Sequence, residues 1–450
     1  MCYLFNIITT FTNFLWGVPL VLIITLTGLY FSVKIRFIPI YKIPLLFKQK
    51  NNGHVLDGEI PLSQCLLIAM AGTIGSGNIA GVATAIAIGG PGTLFWIWVV
   101  SLICMVLKMV EVTMAVAYRV SDVEKKYWGG PMFYITRGIK GHVGIILGKV
   151  YAIALLILVI TDACFVQVNT LATTFFDIFN VPMLVSGIAW IFLGIVILKF
   201  GELKKMGKFC EIVSPIMCAI YIVSTTIVIL YNVSNIPLII KEIFKYAFHP
   251  TPVVGAFSGA TLKMTISKGF SRGIFSNEAG QGTSTTIYSK ACTEHPIKAG
   301  LYSILEVAAD SLVCTLTALS ILTTFVWKQG MDGISLNIEA FHSVLGIYGK
   351  YIICIAIGFF TFSSYISFFI EFCTSLNYLF TSKISKIISW FYFIPPIISV
   401  IIPIEVVWNL ADMAVGCIVF PNILALLFLR KNFFNLWKDY LSKQETKNDF

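Results

Sequence analysis

The chain has 450 residues, 57% of them hydrophobic and only 12% charged. That charged share is about half that of a soluble domain, which excludes a water-soluble globular protein and a disordered chain. The net charge of +10 comes from 32 Lys+Arg against 22 Asp+Glu. In so apolar a chain, basic residues in short stretches between apolar runs read as a topology signal rather than a nucleic-acid surface.

A bilayer span needs about 20 mostly apolar residues. Such runs predict eleven spans, centred near residues 24, 75, 105, 157, 191, 220, 265, 312, 362, 394 and 418. The chain opens without a charged n-region or an A-x-A-like site, so no cleaved signal peptide is expected. Most of the eleven cysteines lie inside apolar runs and no C-x-x-C occurs, so they read as small hydrophobes. The five histidines show no paired metal spacing.

The basic residues can be sorted by side. With the N-terminus outside, 26 of the 32 fall in inner loops and the C-terminal tail. Lys268, Arg272, Lys290 and Lys298 make up the fourth inner loop of this count. Four (Lys241, Lys245, Lys328 and Lys350) face outward, and Lys108 and Lys263 fall within spans. A missed span would invert every later loop and erase the bias. The expectation is therefore eleven spans, N-terminus out and C-terminus in.

The second span contains Gly72-Thr73-Ile74-Gly75-Ser76-Gly77-Asn78-Ile79-Ala80-Gly81. Gly, Ser and Asn weaken a helix, and an unsatisfied backbone group in hydrocarbon costs several kcal/mol. Such a stretch is tolerated where it is buried in protein or lines a cavity. It also fits the dinucleotide pattern G-x-G-x-x-A, but that motif needs a preceding strand and a βαβ unit, which a membrane span does not supply. The seventh span is broken too. It begins near Pro252, passes through Gly255 to Thr261, and ends in Arg272-Gly273-Ile274-Phe275-Ser276-Asn277-Glu278-Ala279-Gly280-Gln281-Gly282. Broken spans five apart run in opposite directions, the pattern of inverted repeats that meet at a midplane binding site. The alternative is that the glycines only let helices pack closely.

Polar groups at membrane depth are few. Lys108 and Glu111 are three apart and could pair on one helix face. Asp162, Gln167 and Asn169 lie in the fourth span. Glu306 and Asp310 are four apart, as a proton-sensing pair or as partners of nearby groups. Thr361, Ser363, Ser364 and Ser367 form a hydroxyl-rich turn that either bonds back to its own helix or offers oxygen ligands to a hard cation.

The stretch Gly72 to Ile86, followed by Gly89-Gly90-Pro91-Gly92 and Phe95-Trp96, resembles the signature of the alanine/glycine:cation symporters. So do Gly129-Gly130-Pro131-Met132, Gln167-Val168-Asn169, the Arg272 to Gly280 block, Trp408-Asn409-Leu410-Ala411-Asp412 and Pro421-Asn422. The matches run in order from about residue 62 to 425. The resemblance implies an all-α integral membrane protein of about 11 transmembrane helices, in a LeuT-like 5+5 inverted repeat preceded by one extra helix. The extra helix would cover about 12–36, the first repeat about 61–231, the second about 252–430 and the cytoplasmic tail 431–450.

Further, it implies uptake of alanine or glycine coupled to Na⁺ or H⁺, with no cofactor and no enzymatic activity. Thr73, Gly75, Gly77 and Asn78 would hold the substrate's carboxylate or amine, and Gln167 would line the pocket. Phe257, Ser258 and Gly259 would close it from the seventh span. Ser363 and Ser364, where the family has paired threonines, would bind the cation with second-span carbonyls at Ser76 and Ala80. Arg272, Ser276, Asn277, Glu278 and Gly280 carry the seventh-span motif. The sequence departs after Ser364: a family Trp and Tyr-Tyr-Gly-Glu stretch is replaced by Ser367-Phe368-Phe369-Ile370-Glu371, which puts Phe368 in the pocket wall. Rival readings are a divergent transporter, a channel or a sensor. A channel would need a carbonyl-ring filter, and an intramembrane enzyme would need a nucleophile–base pair or a metal site.

Overall fold

The computed structural model describes residues 2–37, 57–121, 126–200 and 203–445. Most of them are helical. Helices α1 (Cys2–Leu15) and α2 (Pro19–Lys34) are separated by a short turn, with Pro at the first position of α2. There follow α3 (Leu62–Thr73) and α4 (Gly77–Gly89), bent by 52° at the break between them, and α5 (Thr93–Ala117). Helix α6 (Pro131–Gly138) precedes α7 (His142–Phe179), which contains a π-helical segment at Ile160–Gln167. Next come α8 (Met183–Phe200), α9 (Leu203–Tyr231) and α10 (Ile236–Tyr246). The second half holds α11 (Leu262–Asn277), the single turn α12 (Thr285–Tyr288), α13 (Pro296–Thr323), α14 (Gly333–Leu345) and α15 (Ile347–Leu379). Short pieces α16 (Ser382–Ile388) and α17 (Pro395–Ser399) lead to α18 (Ile404–Phe428) and the tail helix α19 (Arg430–Glu445).

Seven of the described helical stretches are long and apolar enough to cross a membrane, and the bent pair α3–α4 makes eight. The other predicted centres fall on α8, on α11 and at the junction before α17. Helix α11 is the least apolar of these because it carries Lys263, Lys268 and Arg272. Large apolar side chains such as Phe192, Ile212 and Ile401 project outward, as lipid-facing residues do.

The charge sorting is corrected at one point. Lys268 and Arg272 lie inside α11 rather than in a loop, and Arg272 is buried against Asp412. The basic bias misleads there because a paired arginine does not need the aqueous side. Beside the C-terminal end of α5, the short strands β1 (Ile60–Pro61) and β2 (Ala291–Cys292) pair in parallel. Arg119, just beyond α5, donates to the carbonyls of Ser289, Ala291 and Asp57 at 2.7–3.0 Å. The start of α3, the end of α5 and the segment after α12 are thereby stapled together. The tail helix α19 docks through Phe433 and Phe434 against Tyr30 and Phe31.

Candidate functional site

The α3–α4 break results from its sequence. Gly72 is followed by Thr73, whose hydroxyl bonds back to the carbonyl of Ala69 at 3.3 Å, and Ile74 is extended. The chain resumes as the π turn Gly77–Gly81. Backbone groups freed by the break find side-chain partners, as burial requires. The Gly75 N–H donates to Asn78 Oδ1 at 3.0 Å, and the Ser76 N–H donates to Gln167 Oε1 at 3.1 Å. A β-carbon on Gly75 would lie 2.6 Å from Ser364 Oγ and 3.1 Å from Gln167 Nε2. One on Gly77 would lie 3.0 Å from the ring of Phe275. Glycine is therefore needed for close approach to α15, α7 and α11 at one point.

The second break is not where the sequence placed it. Phe257, Ser258 and Gly259 lie before α11, in a loop closed by the Thr251–Ala260 and Val254–Phe257 bridges. Phe257 packs on Trp327 at 5.2 Å, and Thr251 sits against Gly90 at the far end of α4. These three residues do not join Gly75 and Gly77. The chain unwinds instead after Asn277, where Glu278, Gly280 and Gly282 all adopt positive φ (49°, 84° and 80°). Both stretches are rich in small residues, and composition alone could not choose between them. Side chains from four directions hold the true break. Tyr151 donates to the Gln281 carbonyl at 2.6 Å and Asn422 to the Gly280 carbonyl at 2.8 Å. Lys108 reaches Ser284 Oγ at 2.7 Å, and Gln281 returns to the Ile274 carbonyl at 2.7 Å.

The two breaks meet through Asp310 of α13. Its carboxylate accepts from Asn78 Nδ2 and from Ser276 Oγ, the latter at 2.8 and 2.9 Å to its two oxygens. The four-residue spacing groups Asp310 with Glu306, but Glu306 faces Lys108 at 3.0 Å. The predicted Lys108–Glu111 pair does not form. Glu111 accepts instead from Asn422 at 2.5 Å. Spacing alone does not place Asp310 at the site; the signal for it is an acid inside an apolar run.

The motif residues divide by role. Arg272 makes a two-pronged pair with Asp412 at 2.8 and 3.0 Å and lies over the Trp408 ring at 4.1 Å, joining α11 to α18. Asn277 donates to Ser101 Oγ at 2.9 Å, and Glu278 accepts from Thr283 at 2.5 Å. These contacts brace the break; Ser276 faces the site. Gln167 and Asn169 point different ways, Gln167 to Ser76 and Asn169 to the Ser399 carbonyl at 2.7 Å.

On α15, Ser364 Oγ donates to the carbonyls of Gly72 at 3.0 Å and Ala71 at 3.4 Å. Those are the second-span carbonyls it reaches, rather than Ser76 or Ala80. Ser363 bonds back to the Phe360 carbonyl at 3.1 Å. Ser367 Oγ would lie 2.6 Å from a β-carbon on Gly72, and Ser367, Thr361 and Ser76 keep buried hydroxyls without a partner. This all-oxygen set, with spare lone pairs, suits a hard monovalent cation. Phe368 is fully buried four residues beyond Ser364, on the same helix face.

A family model described as "Sodium:alanine symporter family" matches residues 1–450. The chain is 32% identical over 444 residues to the uncharacterized transporter YflA of Bacillus subtilis, covering 96% of this chain and 93% of that protein. It is 31% identical over 457 residues to the sodium/alanine symporter AgcS of Methanococcus maripaludis, covering 98% and 99%. Among solved structures, MhsT in complex with L-phenylalanine superposes with a TM-score of 0.61 at 13% identity, over 83% of this chain and 89% of that one. That likeness shows the LeuT-like fold. The chain belongs to the sodium:alanine symporter family.

Proposed function

We propose that the protein is a secondary symporter that imports small neutral amino acids, alanine or glycine, together with Na⁺. The observation that carries this reading is the meeting of the two breaks. Asn78 of one and Ser276 of the other share the Asp310 carboxylate, so whatever binds between the broken helices touches both halves at once. An amino-acid carboxylate suits the N–H groups at the start of α4, where the helix dipole is positive. Space is short there: the Phe275 ring stands against Gly77, and Gln167 and Ser364 stand against Gly75. A small side chain fits such walls. The Na⁺ is assigned to the oxygens of Ala71, Gly72, Ser364 and Ser367. Substrate and cation bound there would favour one packing of the broken helices against α7 and α15. Rocking between two packings, with the N-terminus outside and the C-terminus inside, then moves both ligands inward.

One observation favours H⁺ as a second coupling ion. Among the described residues seven carboxyl groups are fully buried, Glu111, Asp162, Glu278, Glu306, Asp310, Glu371 and Asp412, against the cations of Lys108 and Arg272. Lys108 pairs with Glu306 and Arg272 with Asp412. Among the described residues the other five have no cation within ion-pair distance.

The test is equilibrium binding of radiolabelled alanine to purified protein across a Na⁺ series, with unlabelled amino acids as competitors. Glycine and alanine should compete and phenylalanine should not. Ser364→Ala should raise the Na⁺ concentration for half-maximal binding by about tenfold, the loss of one good ligand contact. Alanine binding indifferent to Na⁺ in both proteins would remove the assigned cation site.

A further inference from the structure

Asp162 lies in no predicted role, yet it is buried five residues before Gln167 and accepts a hydrogen bond from Gln167 Nε2 at 3.0 Å. In an α-helix, side chains five apart diverge by about 140° at 3.6 residues per turn. They would not touch. The segment that holds them, Ile160–Gln167, is π-helical from end to end. A π-helix is hydrogen-bonded i→i+5, and its wider turn brings side chains five apart toward one face. The π segment begins just before Asp162 and ends on Gln167, so the irregular geometry coincides with this contact.

The contact matters because an amide has two unlike ends. Gln167 Oε1 accepts from the Ser76 N–H at 3.1 Å, which is one of the donors freed by the α3–α4 break. Reversed, the amide would set its NH₂ against that N–H, donor to donor, and leave both unsatisfied in a buried site. Asp162 Oδ1 offers an acceptor on the other side of Gln167, and that acceptor holds the NH₂ there, away from Ser76. We infer that Asp162 is a positioning residue: across the π turn it holds the Gln167 amide with its oxygen on the Ser76 N–H, and so sets the shape of the broken helix where substrate binds. The placement of the amide stands on the contacts alone. Its effect on substrate rests on the reading of the protein as an alanine or glycine symporter.

The test is a double-mutant cycle on the purified, reconstituted protein, made of Asp162→Ala, Gln167→Ala and the double variant, with Asp162→Asn as the conservative replacement. Alanine uptake should show KM raised about tenfold in Asp162→Ala with kcat changed less than about twofold, the signature of a lost ground-state contact. Asp162→Asn keeps an acceptor and should restore KM to within about twofold of the parent. The double variant should be no worse than Gln167→Ala alone, since the aspartate acts only through the glutamine. Deuterium uptake of the 74–78 segment, measured without any amino acid, should rise equally in both single variants and no further in the double. Should Asp162→Ala not fold, Gln167→Met severs the same contact from the other end, and its 74–78 uptake should rise likewise. Additive KM losses, or parental deuterium uptake in the variants, overturn the inference. A parent protein that moves neither alanine nor glycine overturns the functional reading instead, while the deuterium comparison still decides the role of Asp162.

Discussion

Single atoms define this site, and Gly75 shows it best. Its absent side chain lets Ser364 Oγ and the Gln167 amide approach the backbone at the same point. A methyl group there would stand 2.6 Å from the serine oxygen, closer than any real contact, so the serine must leave the carbonyls of Ala71 and Gly72. Gly75→Ala should therefore leave the protein expressed and folded while abolishing cation-dependent binding, because the affected groups line the site rather than the packed core. Parental Na⁺ dependence in that variant would show that Ser364 is not a cation ligand. Much of this was legible in sequence. The run Gly72 to Gly81 cannot be a quiet helix in hydrocarbon, and Asn78, Gln167 and Ser364 all meet at its break. Asp310 was not legible as a partner of Asn78, because the two are 232 residues apart and only the fold joins them.

At the scale of elements, the seventh-span region separates what sequence can and cannot tell. Gly255 to Thr261 and Asn277 to Gly282 are both poor in helix formers. Which one breaks the span depends on what stands around it. The second is surrounded by Tyr151, Asn422 and Lys108, each supplying a hydrogen bond to an unwound backbone or side chain. The first pairs with itself at the far end of α4. The position of α11 is fixed by Arg272, whose guanidinium is sandwiched between the Asp412 carboxylate and the Trp408 ring. Removing one partner of a buried pair leaves an uncompensated charge and destabilises by about 3–5 kcal/mol. Asp412→Ala should thus lower the thermal midpoint of the detergent-solubilised protein by several degrees and reduce its yield. Replacing both, Arg272→Met with Asp412→Leu, should recover part of that loss, because only the half-buried Lys268, 3.7 Å from Asp412, then loses a partner. A single variant as stable as the parent would show that the pair does not hold α11 against α18.

For the whole molecule, the scarcity of charge that excluded a soluble protein also marks what the interior is for. In a chain with 12% charged residues, seven carboxyls and two cations are nevertheless buried completely among the described residues. Asp310 lies at the breaks, while Glu278 and Arg272 with Asp412 brace α11 and the unwound segment. The basic residues carry an expectation for which side the termini face, but they cannot say which helices carry the site, since loops are solvated whatever the spans do. That came from the breaks, and their function from what two opposed half-helices can hold. The most direct measurement is uptake of radiolabelled alanine into proteoliposomes under imposed gradients: Na⁺ inward, H⁺ inward, and none. Coupled symport predicts accumulation above equilibrium with the Na⁺ gradient, abolished by Asn78→Ala and collapsed by dissipating the gradient. Uptake that is the same under every gradient, or that never exceeds the outside concentration, would contradict it.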